Sequence, residues 1–337
     1  MMLMMDSLLQ KAVEGDEDTV GKRYAMSLHD TSDKTVDFLG TQGFETARFG
    51  VILGTGFGTS IRAVDKKSVV PYGSIPHFPV TTVTGHEGNL VFGSVDDVSA
   101  IVMQGRVHLY EGYDGRQIAY PLEVMRRFGV EVLLVTNAAG GLNPRYEVGD
   151  LMAVRQHVHP IGRKLMGDLT SDMDREPCYD VSLRDSLLEI SIQRNLNVQQ
   201  GILAWTPGPT FETRAEIALL KSLGADAVTM STVPEALAAR RLGMRTAAVS
   251  CISNVWTGQS GETVDANDVA SMVESSIGRF EDLLVSLAGL IELIGPDAQE
   301  GPDHVDGPAH ANRPNHADDA DGLVGPDRSV TRGASRS

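Results

Sequence analysis

The chain is poor in cysteine, in aromatic side chains and in positive charge, and it has no long apolar run. Cys178 and Cys251 are its only cysteines, too few for a disulfide framework and in keeping with a reducing compartment. Lys and Arg total 29 against 45 Asp and Glu, a formal net charge of -16, which argues against a nucleic-acid or anionic-membrane surface. A phosphate-sized substrate then has to be captured by a local basic pocket, because the overall field repels it. No stretch reaches the roughly 18 consecutive apolar residues of a membrane-spanning helix. The N-terminal MMLMMDSLLQKAVEGDED has no basic leader region, so the expected location is the cytoplasm. What is there, 337 residues with 42% hydrophobic content, is enough for a substantial globular core.

Composition divides the chain into three parts. Residues 1–40 read as a peripheral helical segment and 41–294 as one folded domain. Residues 295–337 are a Gly-, Pro- and Asp-rich tail that cannot bury enough apolar surface to offset chain entropy and is expected to be disordered. His304, His310 and His316 in that tail fit no metal-ligand spacing. Inside the domain, short apolar runs (Phe49–Leu53, Leu90–Phe92, Ala100–Met103, Val130–Thr136, Leu151–Val154, Ile202–Trp205, Ala227–Met230, Thr246–Ile252) alternate with helical periodicity. The helical stretches are Pro121–Phe128, Leu183–Asn195, Thr213–Leu223, Pro234–Leu242 and Asn267–Leu293. Alternation of this kind predicts an α/β fold, a single domain with a mixed central sheet flanked by helices and ligand groups at strand ends.

The most informative block is Met103–Pro144. Arg106, His108 and Tyr110 stand at alternating positions after an apolar run, so an extended segment presents guanidinium, imidazole and phenol on one face. Those groups suit an oxyanion, a proton switch near neutral pH and a flat ring. Asn137-Ala138-Ala139-Gly140-Gly141 follows the next strand, and its small residues let a ligand lie against the backbone. An earlier loop, Gly54-Thr55-Gly56-Phe57-Gly58, offers backbone N–H groups and the Thr55 hydroxyl to an anion. It has neither the third glycine of a dinucleotide fingerprint nor the Gly-Lys-Ser/Thr of a P-loop. His86, bracketed by Gly85 and Gly88, is a loop histidine that can reach a bound anion.

Further on, Pro207-Gly208-Pro209 precedes Phe211, Glu212 and a helix opened by Thr210 or Thr213. Glu212 can serve that helix start as an N-terminal acid or accept from the ring N–H groups of a heterocycle, and Glu216 reads as a helix residue. Met230-Ser231-Thr232 ends a strand before Pro234, so Ser231 is either a cap or an anion donor, and Met230 either core or ligand wall. Asn254 closes the last strand as an amide that both donates and accepts.

In this order and spacing, GTGFG, GHEGNLVFG, QGRVHLYEGY, VTNAAGGLNP, GPTFET, GADAVTMSTVPEA and Ser253-Asn254 resemble the trimeric, 6-oxopurine type of purine nucleoside phosphorylase, a family that includes methylthioadenosine phosphorylases. The resemblance runs from about Gly50 to Leu290 and implies a nucleoside phosphorylase-like fold. It implies phosphate contacts from Thr55 (usually Ser), His86, Arg106, His108, the Ala138 backbone and Ser231. Nucleoside contacts fall on Tyr110, Ala138, Phe211, Glu212, Met230 and Asn254, with His108, Glu212 and Asn254 as the catalytic groups. The chain departs from the family at Asp268, where a His near the ribose 5′-OH is usual, and at Leu203, where many relatives have Tyr. The loop after His159 is also short and lacks the Phe that reaches a neighbouring subunit.

The implied reaction is reversible phosphorolysis of inosine- or guanosine-type (deoxy)ribonucleosides, with inorganic phosphate as co-substrate and no metal or organic cofactor. The expected partners are the nucleoside and phosphate, with no nucleic acid or membrane, in a homotrimer. Asp268 keeps a 5′-modified nucleoside (methylthioinosine or methylthioadenosine) as an alternative. A catalytically silent purine-binding protein is the rival of another class.

Overall fold

The structure, a computed structural model, describes residues 32–169, 177–256 and 266–293. The expectations for residues 1–31, for the tail, and for residues 170–176 of the loop after His159 lie outside it, as does the side chain of Asp268. Nine strands form one mixed sheet: β1 (Phe49–Leu53), β2 (Asp65–Pro71), β3 (Asn89–Val95), β4 (Val98–Gln104), β5 (Val132–Gly141), β6 (Leu151–Val158), β7 (Val198–Trp205), β8 (Ala227–Thr229) and β9 (Arg245–Val255). Their order is β2-β3-β4-β1-β5-β8-β7-β6-β9, with β9 paired back to β5. Strands β5, β8, β7, β6 and β9 therefore close on themselves, and β5 is the hinge of the design. It runs parallel to β1 and β9 and antiparallel to β8.

Alternation along the buried strands sends successive side chains into two cores. Ile52, Met103, Leu133 and Val135 pack on one side with Leu122, Val124 and Met125 of α2 (Gly115–Arg127) and Leu237 of α5 (Val233–Arg241). Val51, Leu53, Val102 and Leu134 pack on the other with Leu183 and Leu187 of α3 (Val181–Arg194) and with Phe280, Leu284 and Leu287 of α7 (Ile277–Leu293). Each such buried side chain contributes about 1.5–3 kcal/mol relative to exposure. The remaining helices are α1 (32–41), α4 (Arg214–Ser222) and α6 (Ala266–Glu274). Helix α1 is tied in by Thr35, whose hydroxyl lies 2.6 Å from Tyr120 Oη and donates to the Pro76 carbonyl at 2.7 Å. Among the described residues no helix is long and apolar enough to cross a membrane.

Three elements differ from the sequence reading. Helix α2 starts at Gly115 rather than Pro121, because Asp114 caps the N–H groups of Arg116 and Gln117 while Gln117 accepts from Asp114 N–H. This is a capping box strong enough to hold a helix that contains a proline. The Asn267–Leu293 periodicity is broken into α6 and α7 at Ser276, whose hydroxyl donates to the Gly149 carbonyl at 2.6 Å and whose own carbonyl accepts from Phe280 N–H. Strand β2 escaped the reading because Asp65, Lys66 and Lys67 on this sheet edge are exposed, as edge strands require.

Candidate active site

The C-terminal ends of β5, β8 and β9, with the loop after β7, surround a cavity of ≈ 530 Å³. Its wall includes Thr55, His108, Tyr110, Ala138, Phe211, Glu212, Met230, Ser231 and Asn254, residues drawn from loops far apart in the chain. Strand β5 continues through Gly141 instead of ending before the small residues. Ala138, Ala139, Gly140 and Gly141 thus form a flat floor of strand backbone. Sequence reasoning did not anticipate Leu142, Ile217, Val228 and Trp256, which also line the cavity, since apolar side chains of this kind read as core.

At one end sit the groups able to hold an anion. His86 is buried, with Nε2 3.1 Å from Thr55 Oγ1 and Nδ1 2.8 Å from the Arg106 carbonyl. The same Nδ1 lies 3.2 Å from Arg106 N–H, so it either donates to the Arg106 carbonyl or accepts from the Arg106 amide, and Nε2 takes the complementary role towards the Thr55 hydroxyl. Burial, then the neighbouring His108 and Arg106, pushes the His86 imidazole down to about 4 despite its bond to the Arg106 backbone. It is therefore neutral at physiological pH. The rings of His86, His108 and Tyr110 form a continuous stack, with centroids 5.4 and 4.7 Å apart.

Glu111 fixes the middle ring of that stack. Its Oε1 accepts from His108 N–H at 2.7 Å and lies 3.0 Å from His108 Nδ1, while Oε2 takes the N–H and hydroxyl of Thr82. Burial opposes ionisation, but the hydrogen bonds from His108 and Thr82 outweigh it and hold this carboxyl down at about 2. The same carboxylate thereby anchors the Thr82–Gly85 loop over the cavity. Its signal in the sequence was the acid three residues after His108, closing a one-turn helix.

Arg106 does not share the face of His108 and Tyr110. Strand β4 ends at Gln104, and Gly105 turns the chain with φ 101°, so the alternation stops before it reaches the arginine. The guanidinium is 2% exposed and outside the cavity wall. Nη1 pairs with Glu235 Oε1 at 2.9 Å and donates to Thr232 Oγ1 at 3.3 Å, while Nη2 donates to the Thr136 carbonyl. Among the described residues its Nε has no hydrogen-bond partner. A Cβ on Gly54 would lie 2.7 Å from Nη2, so only glycine lets the arginine pass here. Gly54 and Thr232 flank the guanidinium, and each precedes or follows a cavity residue, Thr55 and Ser231.

Thr232 itself holds φ 71°, ψ -48°, and the 2.8 Å bond from Val233 N–H to the Ser231 carbonyl closes a γ-turn around it. For a β-branched residue this geometry costs of order 1–3 kcal/mol. It is held by the Thr232 hydroxyl, which donates to Asn137 Oδ1 at 3.0 Å. The turn delivers Ser231 into the cavity rather than to the cap of α5, where no side chain bonds.

The opposite end carries groups able to pair with a polar ring. Thr213 and Glu216 form the capping box of α4, which frees Glu212 from capping. Its Oε1 instead accepts the Thr206 hydroxyl at 2.6 Å. Asn254 sits at the end of β9 beside Gly140, and its Oδ1 lies 3.0 Å from Ser253 Oγ, leaving the NH₂ for a ligand. Between the ends, Met230 and Tyr110 close on Gly208 (φ 66°), where a Cβ would collide with Met230 Sδ and lie 3.0 Å from the Tyr110 ring. Burial, then Glu111, pushes the Tyr110 phenol up to about 12, so it meets a ligand as a neutral hydroxyl.

Comparison with known proteins supplies the family. Residues 48–288 match the Phosphorylase superfamily. Purine nucleoside phosphorylase 1 of Bacillus subtilis is 36% identical over 271 residues, covering 79% of this chain and 100% of the relative. The Schistosoma mansoni purine nucleoside phosphorylase solved with adenosine superposes with a TM-score of 0.72 at 31% identity, over 80% of this chain and 98% of that one. The same enzyme solved with inosine gives 0.71, again at 31% identity and over 80% and 98% of the two chains. The chain belongs to the phosphorylase superfamily, among its purine nucleoside phosphorylases.

Proposed function

We propose that this cavity carries out the reversible phosphorolysis of 6-oxopurine (deoxy)ribonucleosides, inosine or guanosine plus phosphate going to free base and (deoxy)ribose 1-phosphate. The observation that carries the reading is the single cavity lined at one end by Thr55, His108, Ala138 and Ser231 and at the other by Glu212 and Asn254. A sugar held against Tyr110 and Met230 then has its anomeric carbon between nucleophile and leaving group. A phosphate oxygen bonds C1′ as the N9–C1′ pair departs with the base. Phosphate stabilises the cationic sugar, and the Asn254 amide donates to N7 as the purine gains electron density. Glu212 accepts the N1–H edge that a 6-oxopurine presents. Arg106 belongs to the phosphate end as its cation, with Nε still without a hydrogen-bond partner among the described residues. The chemistry needs no metal or organic cofactor.

Two further elements belong to the proposal: a homotrimer, supported by the family resemblance, and a cytoplasmic location, supported by a sequence with two cysteines, both buried. Incubating the enzyme with inosine, guanosine, adenosine and methylthioadenosine, with and without phosphate, tests the reading. Base release from the first two, strictly phosphate-dependent, is expected. Preference for methylthioadenosine moves the assignment to the 5′-modified class, and binding without release makes the protein a purine binder. Light scattering on the same preparation tests the trimer.

A further inference from the structure

We infer that Thr206 is the positioning residue for the base-reading carboxylate: its hydroxyl fixes the orientation in which Glu212 meets the base. The inference rests on the proposed function and deepens it. Thr206 is 5% exposed and does not line the cavity, so it touches no ligand. Its backbone is fixed at the end of the sheet, where Trp205 pairs with Thr229 and Thr206 N–H donates to the Thr229 carbonyl at 3.0 Å. Glu212 has no such frame. It stands on a loop beside Phe211, which is 46% exposed, and between exposed Thr210 and Thr213. Among the described residues, the 2.6 Å bond from Thr206 is the one hydrogen bond on that carboxylate.

The Thr206 hydroxyl occupies Oε1 and leaves Oε2 to meet the ring edge. An ionised carboxylate is acceptor-only, so it pairs with the N1–H of a 6-oxopurine and not with the N1 of a 6-aminopurine, itself an acceptor. Thr206 fixes the orientation of that reading without contacting the base. A carboxylate on an exposed loop without this bond spreads over several rotamers, and the ligand has to select one.

The test compares wild type with Thr206→Val, which keeps the shape and removes the hydroxyl, and with Thr206→Ser, which restores it. Steady-state kinetics with inosine and phosphate are read beside calorimetric titration with hypoxanthine. Thr206→Val is expected to raise KM for inosine and Kd for hypoxanthine about tenfold, the range of one charge-assisted hydrogen bond, with kcat and KM for phosphate little changed. Thr206→Ser is expected to recover most of that loss. A Thr206→Val enzyme equal to wild type overturns the inference. So does an equal loss in both variants, which marks packing, or a loss confined to phosphate. A wild type that binds hypoxanthine without turnover overturns the functional reading and leaves the binding comparison to judge Thr206. A wild type that neither binds nor turns over sinks both.

Discussion

The two ends of the cavity are built in different ways. At the anion end, His86, Arg106, His108 and Ser231 are buried and cross-braced by Glu111, Glu235 and Thr232, so each donor is fixed before any ligand arrives. At the base end, Phe211 is exposed and Glu212 half-buried on a loop, with a single hydroxyl steering the carboxylate. Preorganised donors lower a barrier because they need no rearrangement as charge develops. A loosely held reader can instead be retuned by small changes nearby. On the proposed function, the difference puts reaction type in the core and base choice in the rim.

The largest expected effect is at the base end. Asn254→Ala removes the donor aimed at the purine nitrogen that gains charge, and kcat for inosine should fall about 10²–10³-fold. KM for phosphate should stay close to wild type, because the anion end is braced independently. Near-normal turnover would place the leaving group elsewhere, and a matching rise in phosphate KM would show that the ends are not separable.

Next comes the brace itself. Glu235→Gln leaves the Arg106 charge buried, with only neutral partners. Removing one member of a buried pair costs about 3–5 kcal/mol, so the phosphate-free variant should melt several degrees lower. Phosphate should restore more stability to the variant than to wild type, since the anion then takes over the vacated guanidinium. Scanning calorimetry with and without phosphate reads both. Identical phosphate-induced shifts in the two proteins would mean that Arg106 never meets the anion.

The same contrast explains what was legible in the sequence. Strands β1, β5 and β9 announced themselves as apolar runs because both faces are buried, whereas β2 did not, its Asp65, Lys66 and Lys67 facing water. His108, Tyr110, Glu212 and Asn254 could be picked out as chemistry-bearing types at strand ends. The position of Arg106 could not, because the turn at Gly105 breaks the alternation and its partner Glu235 is 129 residues away. Thr206 left no trace either: a threonine before a proline is an ordinary loop residue until its hydroxyl is seen on Glu212. Pairings across the fold, not residue types, were the hidden part.

A smaller effect follows from the neutral His86. Folding lowers it to about 4, so as pH falls through about 6.5, its ordinary value, the unfolded chain takes up a proton that the native state refuses. Its contribution is complete above about 6.5 and is lost as pH drops towards 4, at no more than about 1.4 kcal/mol per unit. Denaturant titrations at pH 7 and pH 5 should show a shallower pH dependence in His86→Gln than in wild type. Equal slopes would mean that the imidazole at the anion end is not held neutral.

The smallest effect sharpens the division at the base end, where neighbouring residues have separate duties. Thr213 caps α4, its hydroxyl accepting from Glu216 N–H at 3.3 Å, with the Glu216 carboxylate returning to Thr213 N–H at 2.8 Å. Thr213→Ala should therefore cost about 1 kcal/mol of stability. Because Glu212 is oriented from the other side by Thr206, KM for inosine should hardly move. If KM rises as much as in Thr206→Val, the helix start rather than the sheet end positions the carboxylate, and the base reader belongs to α4.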